Sequence, residues 1–253
     1  MSFARYPSLH DRVVFITGGG SGIGAAMVEA FAAQGARVAF VDILEDESRA
    51  LAERLGEAGR RPLFIPCDLL DISALEAAIA RTREQLGAIG VLVNNAANDT
   101  RRDVDEVTEA VWDLTMNINL KHQFFAARAV RPQMRELGGG SIVNFSSIAW
   151  MAASPRLAPY ATAKAAVVGM TNSLAREFGR DNIRVNAIAP GAVITERQRR
   201  LWISQSDLDA IVERQCLHHV LLAEEIARAA LFLGADDSAM ITKQCMIVDG
   251  GLR

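Results

Sequence analysis

Tyr160 and Lys164 stand four residues apart in PYATAKAAVVGMTNSLAREFG, so a helix over that segment puts them on one face, one turn apart. A lysine ammonium beside a phenol disfavours the neutral hydroxyl and lowers the tyrosine from its reference pKa of about 10. The chemistry this pairing suits is general base catalysis, with a phenolate taking a hydroxyl proton as hydride leaves the carbinol carbon. On its own the spacing is common, because helix faces bring Tyr and Lys together by chance. Ser147 strengthens it: it lies thirteen residues earlier, at the end of a segment that reads as a strand and so at the carboxyl edge of the sheet, where ligands of open α/β sheets bind.

A second set of residues suits a dinucleotide. Thr17-Gly18-Gly19-Gly20-Ser21-Gly22-Ile23-Gly24 follows an apolar strand directly and opens a helix. Gly18, Gly22 and Gly24 allow a tight turn and close approach of backbone to ligand. The helix beginning near Ser21 offers unpaired N–H groups and the positive end of its dipole to a pyrophosphate. Turns use glycine everywhere, so the position between strand and helix is what points to a phosphate site. Asp42 closes the second strand, 24 residues after Gly18. A carboxylate there accepts hydrogen bonds from ribose hydroxyls and repels a 2′-phosphate, and no arginine in the turn attracts one. The expectation is NAD rather than NADP, and its cationic nicotinamide would lower Tyr160 further. Asp42 is also suited to cap a helix over 43–58, a compatible role. Asp68 follows the third strand, where it could cap the next helix or reach the adenine.

Elements that position these residues are legible in the apolar runs. Segments 12–17, 36–42, 61–68, 88–96, 141–147, 183–190 and 244–251 are rich in Val and Ile and apolar on both faces, as strands covered on two sides must be. Helices are expected at 22–34, 45–58, 72–86, 106–137 (broken once), 158–179 and 223–234. Such alternation predicts an α/β fold with a parallel sheet, doubly wound, with helices on both faces. Ligands of open α/β sheets bind at the carboxyl edge of the strands, which receives Gly18, Asp42, Asn94, Asn95 and Ser147. No repeat or low-complexity linker divides the chain, so one domain is expected over 1–253. Residues 192–221 break the rhythm and read as a lid or binding loop.

Composition narrows the function classes. Half of the 253 residues are apolar, enough for a large core, and 23% are charged, as in ordinary globular domains. A net charge of −3 argues against a nucleic-acid partner. No run of 18 uncharged apolar residues spans a membrane, and the first residues, MSFARYPSLHD, lack the features of a signal peptide. Cys67, Cys216 and Cys245 are odd in number and far apart, which speaks against a disulfide framework or zinc cage and for a reducing cytoplasm. The four histidines form no metal pattern, and adjacent His218 and His219 read as solvated loop residues, so no metal is expected.

Taken together, TGGGSGIG at 17–24, NNAA at 94–97, Ser147, Tyr160-Ala-Thr-Ala-Lys164 and Pro190-Gly191 resemble the short-chain dehydrogenase/reductase family, in its order and spacings, from about residue 10 onward. The resemblance implies a Rossmann-type seven-stranded sheet in the order 3-2-1-4-5-6-7, and a homotetramer through the helices near 106–137 and 158–179. It implies a catalytic set of Asn119, Ser147, Tyr160 and Lys164: Asn119 holds a water behind Lys164, Ser147 bonds the reacting oxygen, and Lys164 also binds the nicotinamide ribose. It puts Asn95 on the adenosine side of the cofactor, Ile23 near the nicotinamide, Thr195 at the carboxamide, and Pro190 and Gly191 along the cofactor. Two positions depart from the family pattern: Ala97 replaces the usual glycine of NNAG, and His122 stands where glycine is frequent.

NNAAND (94–99), NLKHQFFAA (119–127), ITERQRRLW (194–202) and MITKQCMIVDGG (240–251) are similar to bacterial aldose 1-dehydrogenases of the D-xylose type. That narrower likeness implies oxidation of an aldose C1 hydroxyl to a lactone. Asn98, Asp99, Gln198 and Trp202 could supply the hydrogen bonds and apolar surface a sugar ring needs. A capped turn is the competing reading for Asn98 and Asp99, and a lid packing on itself for Trp202. Trp150 could line the pocket or the core. Arg197, Arg199 and Arg200 read as a solvated lid face, although they would suit an acidic sugar. A polyol, a sugar acid or a 3-oxoacyl thioester are the rival substrates, and Asp42 opposes the last, whose reduction draws on NADPH. A non-enzymatic NAD-binding regulator is the rival from another class, and the intact Ser147, Tyr160 and Lys164 count against it.

Overall fold

A computed structural model describes residues 3–201 and 204–253. They contain the strands β1 (Val13–Thr17), β2 (Arg37–Asp42), β3 (Leu63–Pro66), β4 (Ile89–Asn94), β5 (Gly140–Phe145), β6 (Ile183–Pro190) and β7 (Cys245–Val248). All pair in parallel, in the order β3-β2-β1-β4-β5-β6-β7, the order the family resemblance implied. The order reverses between β1 and β4, and such a switch point leaves a crevice at the carboxyl edge of the sheet.

Alternation along each strand splits the apolar residues between two cores. Val14 and Ile16 of β1 face one, with Val38 and Phe40 of β2, against helices α1 (Gly22–Ala33), α2 (Glu45–Ala58) and α9 (Ala223–Gly234). Val13 and Phe15 face the other, with Ala39 and Val41, against α3 (Ile72–Leu86), α5 (His122–Glu136) and α6 (Ala158–Phe178). The apolar-on-both-faces pattern therefore marks a sheet sandwiched between helical layers, as expected.

Four segments differ from the sequence expectation. β3 is shorter, because Pro62 and Pro66 bracket it and neither can donate to a ladder. β5 ends at Phe145, and Ser147 stands outside the sheet as the cap of a short turn, its Oγ accepting from Ala149 N at 3.1 Å. The helix expected over 106–137 is α4 (Glu109–Met116) and α5 joined by a π-helical turn at Asn117–Lys121. The insertion expected at 192–221 folds partly as α7 (Glu196–Leu201) and α8 (Gln205–Arg214).

Candidate active site

The glycine turn is built against β2 and the segment after β4. Gly18 N and Gly19 N donate to the Val41 carbonyl, and Gly18 has φ +68°, in the left-handed region. A Cβ on Gly24 would lie 1.7 Å from the Gly18 carbonyl oxygen, so the turn closes only on glycine. Ser21, at the N-cap of α1, makes no side-chain capping bond, whereas Asp71, Thr108 and Ser204 cap α3, α4 and α8. The first-turn N–H groups of α1 thus remain available to an anion. Asp42 Oδ2 accepts from Gly20 N at 2.8 Å and Oδ1 from Leu44 N at 3.0 Å. Its carboxylate joins the turn to the start of α2 and keeps lone pairs for a ribose diol. These features fit a dinucleotide.

Other cofactor candidates fall beside the turn in different ways. Asn95 Nδ2 donates to the Thr17 and Gly18 carbonyls, so its amide braces the turn itself. Ile23 is half-buried against the α1 core, and the Thr195 methyl stands over Gly22. Gly191 packs on Asp249, where a Cβ would meet backbone at 2.7 Å, and Pro190 ends β6. Asp68 is exposed and accepts from Leu70 N at 2.9 Å; Asp71, not Asp68, caps α3.

Tyr160 and Lys164 share the inner face of α6. Lys164 is fully buried, donates through Nζ to the Phe145 carbonyl at 2.8 Å, and lies over the Tyr160 ring, 5.6 Å from its centroid. Burial pulls Lys164 down to about 7, with the Asp99 carboxylate holding part of its proton affinity. Burial also pushes the Tyr160 phenol well above its ordinary value, and Asp99 adds to the rise. The Ser147 hydroxyl, hydrogen-bonded to Tyr160, and then Arg197 work in the opposite direction. The expected lowering of Tyr160 is thus reversed: Lys164 meets the ring face and has itself lost proton affinity, while desolvation raises the phenol.

Asn119 sits in the π-helical turn, wholly buried. Its Oδ1 accepts from Asn98 N at 2.9 Å and its Nδ2 donates to Asn98 O at 3.0 Å and Thr115 O at 2.9 Å. The side chain clamps the chain after β4 in the way a strand partner would. The extra residue of the π turn re-aims the helix so that this side chain projects sideways. Asn98's own side chain accepts from Thr100 N and Oγ1, at 3.0 and 2.6 Å. The carbonyl oxygen of the Asn98 side chain thus caps this turn.

For Asp99 the capped-turn reading fails. Its carboxylate is held from α7, by Arg197 and by Gln198 Nε2 at 2.7 Å, and it acts on both Tyr160 and Lys164. Arg197 is accordingly an exposed ion-pair partner of Asp99, a contact across 98 residues of sequence that no local signal announces. Trp150 goes elsewhere: its Nε1 donates to Ser146 Oγ at 3.2 Å, and it lines a groove with Ala158, Ala161, Thr162 and Ala165, on the side of α6 away from Tyr160. Trp202 lies outside the described residues.

Over residues 18–253 the chain matches a family model described as enoyl-(acyl carrier protein) reductase. It is 44% identical over 253 residues to D-xylose 1-dehydrogenase of Caulobacter vibrioides, covering all of both chains. The chain belongs to the short-chain dehydrogenase/reductase family. It is 52% identical over 250 residues to a "probable galactose dehydrogenase" of Rhizobium meliloti, covering 98% of each. A crystal structure from Agrobacterium tumefaciens, provisionally described as a gluconate dehydrogenase, superposes with a TM-score of 0.92 at 28% identity, covering 98% of each chain. The protein is a dehydrogenase of the family, acting on CH–OH groups with a nicotinamide cofactor. Among the described residues no helix is long and apolar enough to cross a membrane.

Proposed function

We propose that this dehydrogenase oxidises the C1 hydroxyl of a cyclic aldose to a lactone with NAD. The observation that carries the chemistry is the convergence of Ser147 and Tyr160 over buried Lys164, at the sheet edge that also holds the glycine turn. Tyr160 takes the hydroxyl proton, Ser147 holds the same oxygen, and Lys164 stabilises the phenolate that must form. When bound, the nicotinamide accepts the hydride from C1. The proton leaves through Lys164 toward Asn119, whose side-chain amide is held by Asn98 and Thr115, so a water there would rest on the remaining Oδ1 lone pair or share the backbone carbonyl with Gln123 Nε2.

Asp42 supports NAD, because a 2′-phosphate would meet a carboxylate already fixed by Gly20 N. An aldose is supported by the names of the relatives matched over the full length, a galactose and a D-xylose dehydrogenase. Asp99, held by Arg197 and Gln198 beside Tyr160, supplies an oriented acceptor for a ring hydroxyl. Trp112, Leu114 and Phe124 are exposed on α4 and α5, which suits the expected homotetramer.

Polyols are the second reading, because D-threitol and glycerol dehydrogenases are 37% and 35% identical. A screen of reduced-cofactor formation with pentoses, hexoses, polyols and sugar acids, each with NAD⁺ and NADP⁺, tests the assignment. The expected result is turnover of one or more aldoses with NAD⁺ and lactone as product. Turnover confined to polyols or acids, or a preference for NADP⁺, would overturn it.

A further inference from the structure

Successive residues, from the last two of β5 into the turn after it, each reach across to α6. Asn144 Nδ2 donates to Thr171 Oγ1 at 3.0 Å, the Phe145 carbonyl accepts from Lys164 Nζ at 2.8 Å, and Ser146 Oγ donates to the Lys164 carbonyl at 2.7 Å. Ser147 then hydrogen-bonds Tyr160. The contacts run down α6 in order, from Thr171 through Lys164 to Tyr160. Lys164 is held at both ends, its ammonium by one residue and its backbone by the next. The Ser146 bond is the one the proposed chemistry leaves without a role: it touches no reacting atom, and the serine is buried.

Trp150 fixes the direction of that bond. Ser147 Oγ accepts from Ala149 N at 3.1 Å and so caps the turn Ile148–Trp150, which brings the indole back to Ser146. There Trp150 Nε1 donates to Ser146 Oγ at 3.2 Å. An indole nitrogen only donates, so the serine oxygen must accept from it, and the single hydroxyl proton is left for the Lys164 carbonyl. Ser146 N donates to the Ile188 carbonyl of β6 at 2.8 Å, which anchors the serine to the sheet. Inside α6 the Lys164 carbonyl already has a helical partner, so the serine is not needed to satisfy it. What the hydroxyl fixes is distance: it keeps the backbone of α6 within hydrogen-bonding reach of the sheet beside the site.

We propose that Ser146, oriented by Trp150, is a positioning residue: its bond to the Lys164 carbonyl sets the depth of α6 against the sheet, and thereby the distance between Ser147 and Tyr160. The proposal rests on the reading above in which those two hydroxyls hold one reacting oxygen. Ser147 belongs to the sheet side of the crevice and Tyr160 to the helix side, so their separation is only as exact as the joint between the two. Without the Ser146 hydroxyl, the joint next to the site is left to the flexible stem of Lys164 on the Phe145 carbonyl. A misplacement of about 1 Å costs up to about 10²-fold in rate, so a loosened joint shows in turnover well before it shows in the fold.

Ser146→Ala removes the hydroxyl, and Trp150→Phe removes the indole N–H while keeping a ring in its place. Ser146→Ala is expected to lower kcat about tenfold and Trp150→Phe about threefold, with KM for the alcohol nearly unchanged. The decisive comparison repeats Ser146→Ala in a Ser147→Ala background. No hydroxyl is then left to place, so the second substitution should cost less than about twofold. Loss by the same factor in both backgrounds, or a wild-type kcat in Ser146→Ala, overturns the proposal. Should Ser146→Ala not fold, Trp150→Phe carries the same comparison, because that ring is partly exposed. The alcohol is whichever one reduces the cofactor in the screen above, so turnover of a polyol in place of an aldose moves the substrate assignment and leaves this test intact. The Trp150 indole N–H gives a readout without substrate. Among the three tryptophans, its nitrogen-15 NMR resonance should move in Ser146→Ala, and an unmoved resonance also overturns the proposal.

Discussion

At the residue scale, desolvation raises the Tyr160 phenol and lowers the Lys164 ammonium. The proposed oxidation would draw on the phenolate, whose share grows as pH rises. Tyr160→Phe is expected to lower turnover by about 10²–10⁴-fold with little change in affinity for the nicotinamide cofactor by direct titration. In the wild type, kcat/KM for oxidation should climb with pH through the neutral range, because that ratio reports the free enzyme's groups. A flat profile from pH 6 to 9 would exclude Tyr160 as the base. Ser147, Tyr160 and Lys164 were legible in the sequence because one helix turn and one strand end fix them. For Asn98 the sequence left an Asx turn and a ligand contact both open, because the two ask for the same residue type; the structure adds the Thr100 contacts of the turn.

Two elements decide what the site can reach. The π-helical turn is invisible to periodicity, since NINLK continues the apolar spacing of α4 and α5 without a breaker; what it changes is the direction of one asparagine. The other element is α7, which touches the centre through Arg197 and Gln198 on Asp99. Its sequence, ERQRRL, is polar and reads as a solvated face, and only tertiary structure pairs one of its exposed arginines with Asp99. Asp99 raises the proton affinity of Tyr160 and Arg197 lowers it, so the ion pair also tempers the base. Arg197→Ala is therefore expected to do two things: raise KM for the sugar about tenfold, as Asp99 loses its orientation, and shift the pH profile toward higher pH, as the carboxylate acts unopposed. KM for the nicotinamide cofactor should be unaffected. A changed cofactor KM with an unchanged sugar KM would place α7 over the cofactor instead.

At the scale of the whole molecule, the fold was readable because a doubly wound sheet writes its strands as apolar runs. The polar core was not. Asn94 and Asn144 pair side by side across β4 and β5, Asn144 reaches Thr171 on α6, and Asn94 reaches α5, tying the second core together through hydrogen bonds. This interior holds Lys164 and His122 below their ordinary proton affinities, which links stability to pH. His122 falls from 6.5 to about 3, so between those values the unfolded chain binds a proton the native chain refuses, and stability is lost as pH falls. Lys164 falls from 10.5 to about 7, so the unfolded chain again binds more protons across that window, and stability rises with pH from about 7. Each group contributes a slope of about 1.4 kcal/mol per pH unit within its window. Tyr160, raised above its ordinary 10, acts in the opposite sense only above about pH 10, where the native chain retains the proton. Urea unfolding of the cofactor-free enzyme should therefore show stability still rising between pH 7 and 9, beyond the usual maximum of about pH 5–8. Lys164→Met should remove that rise, and His122→Asn should flatten the loss between about pH 6.5 and 5, where carboxylates scarcely titrate. Equal slopes in wild type and Lys164→Met would mean that the buried lysine takes up its proton in the native chain as readily as in water.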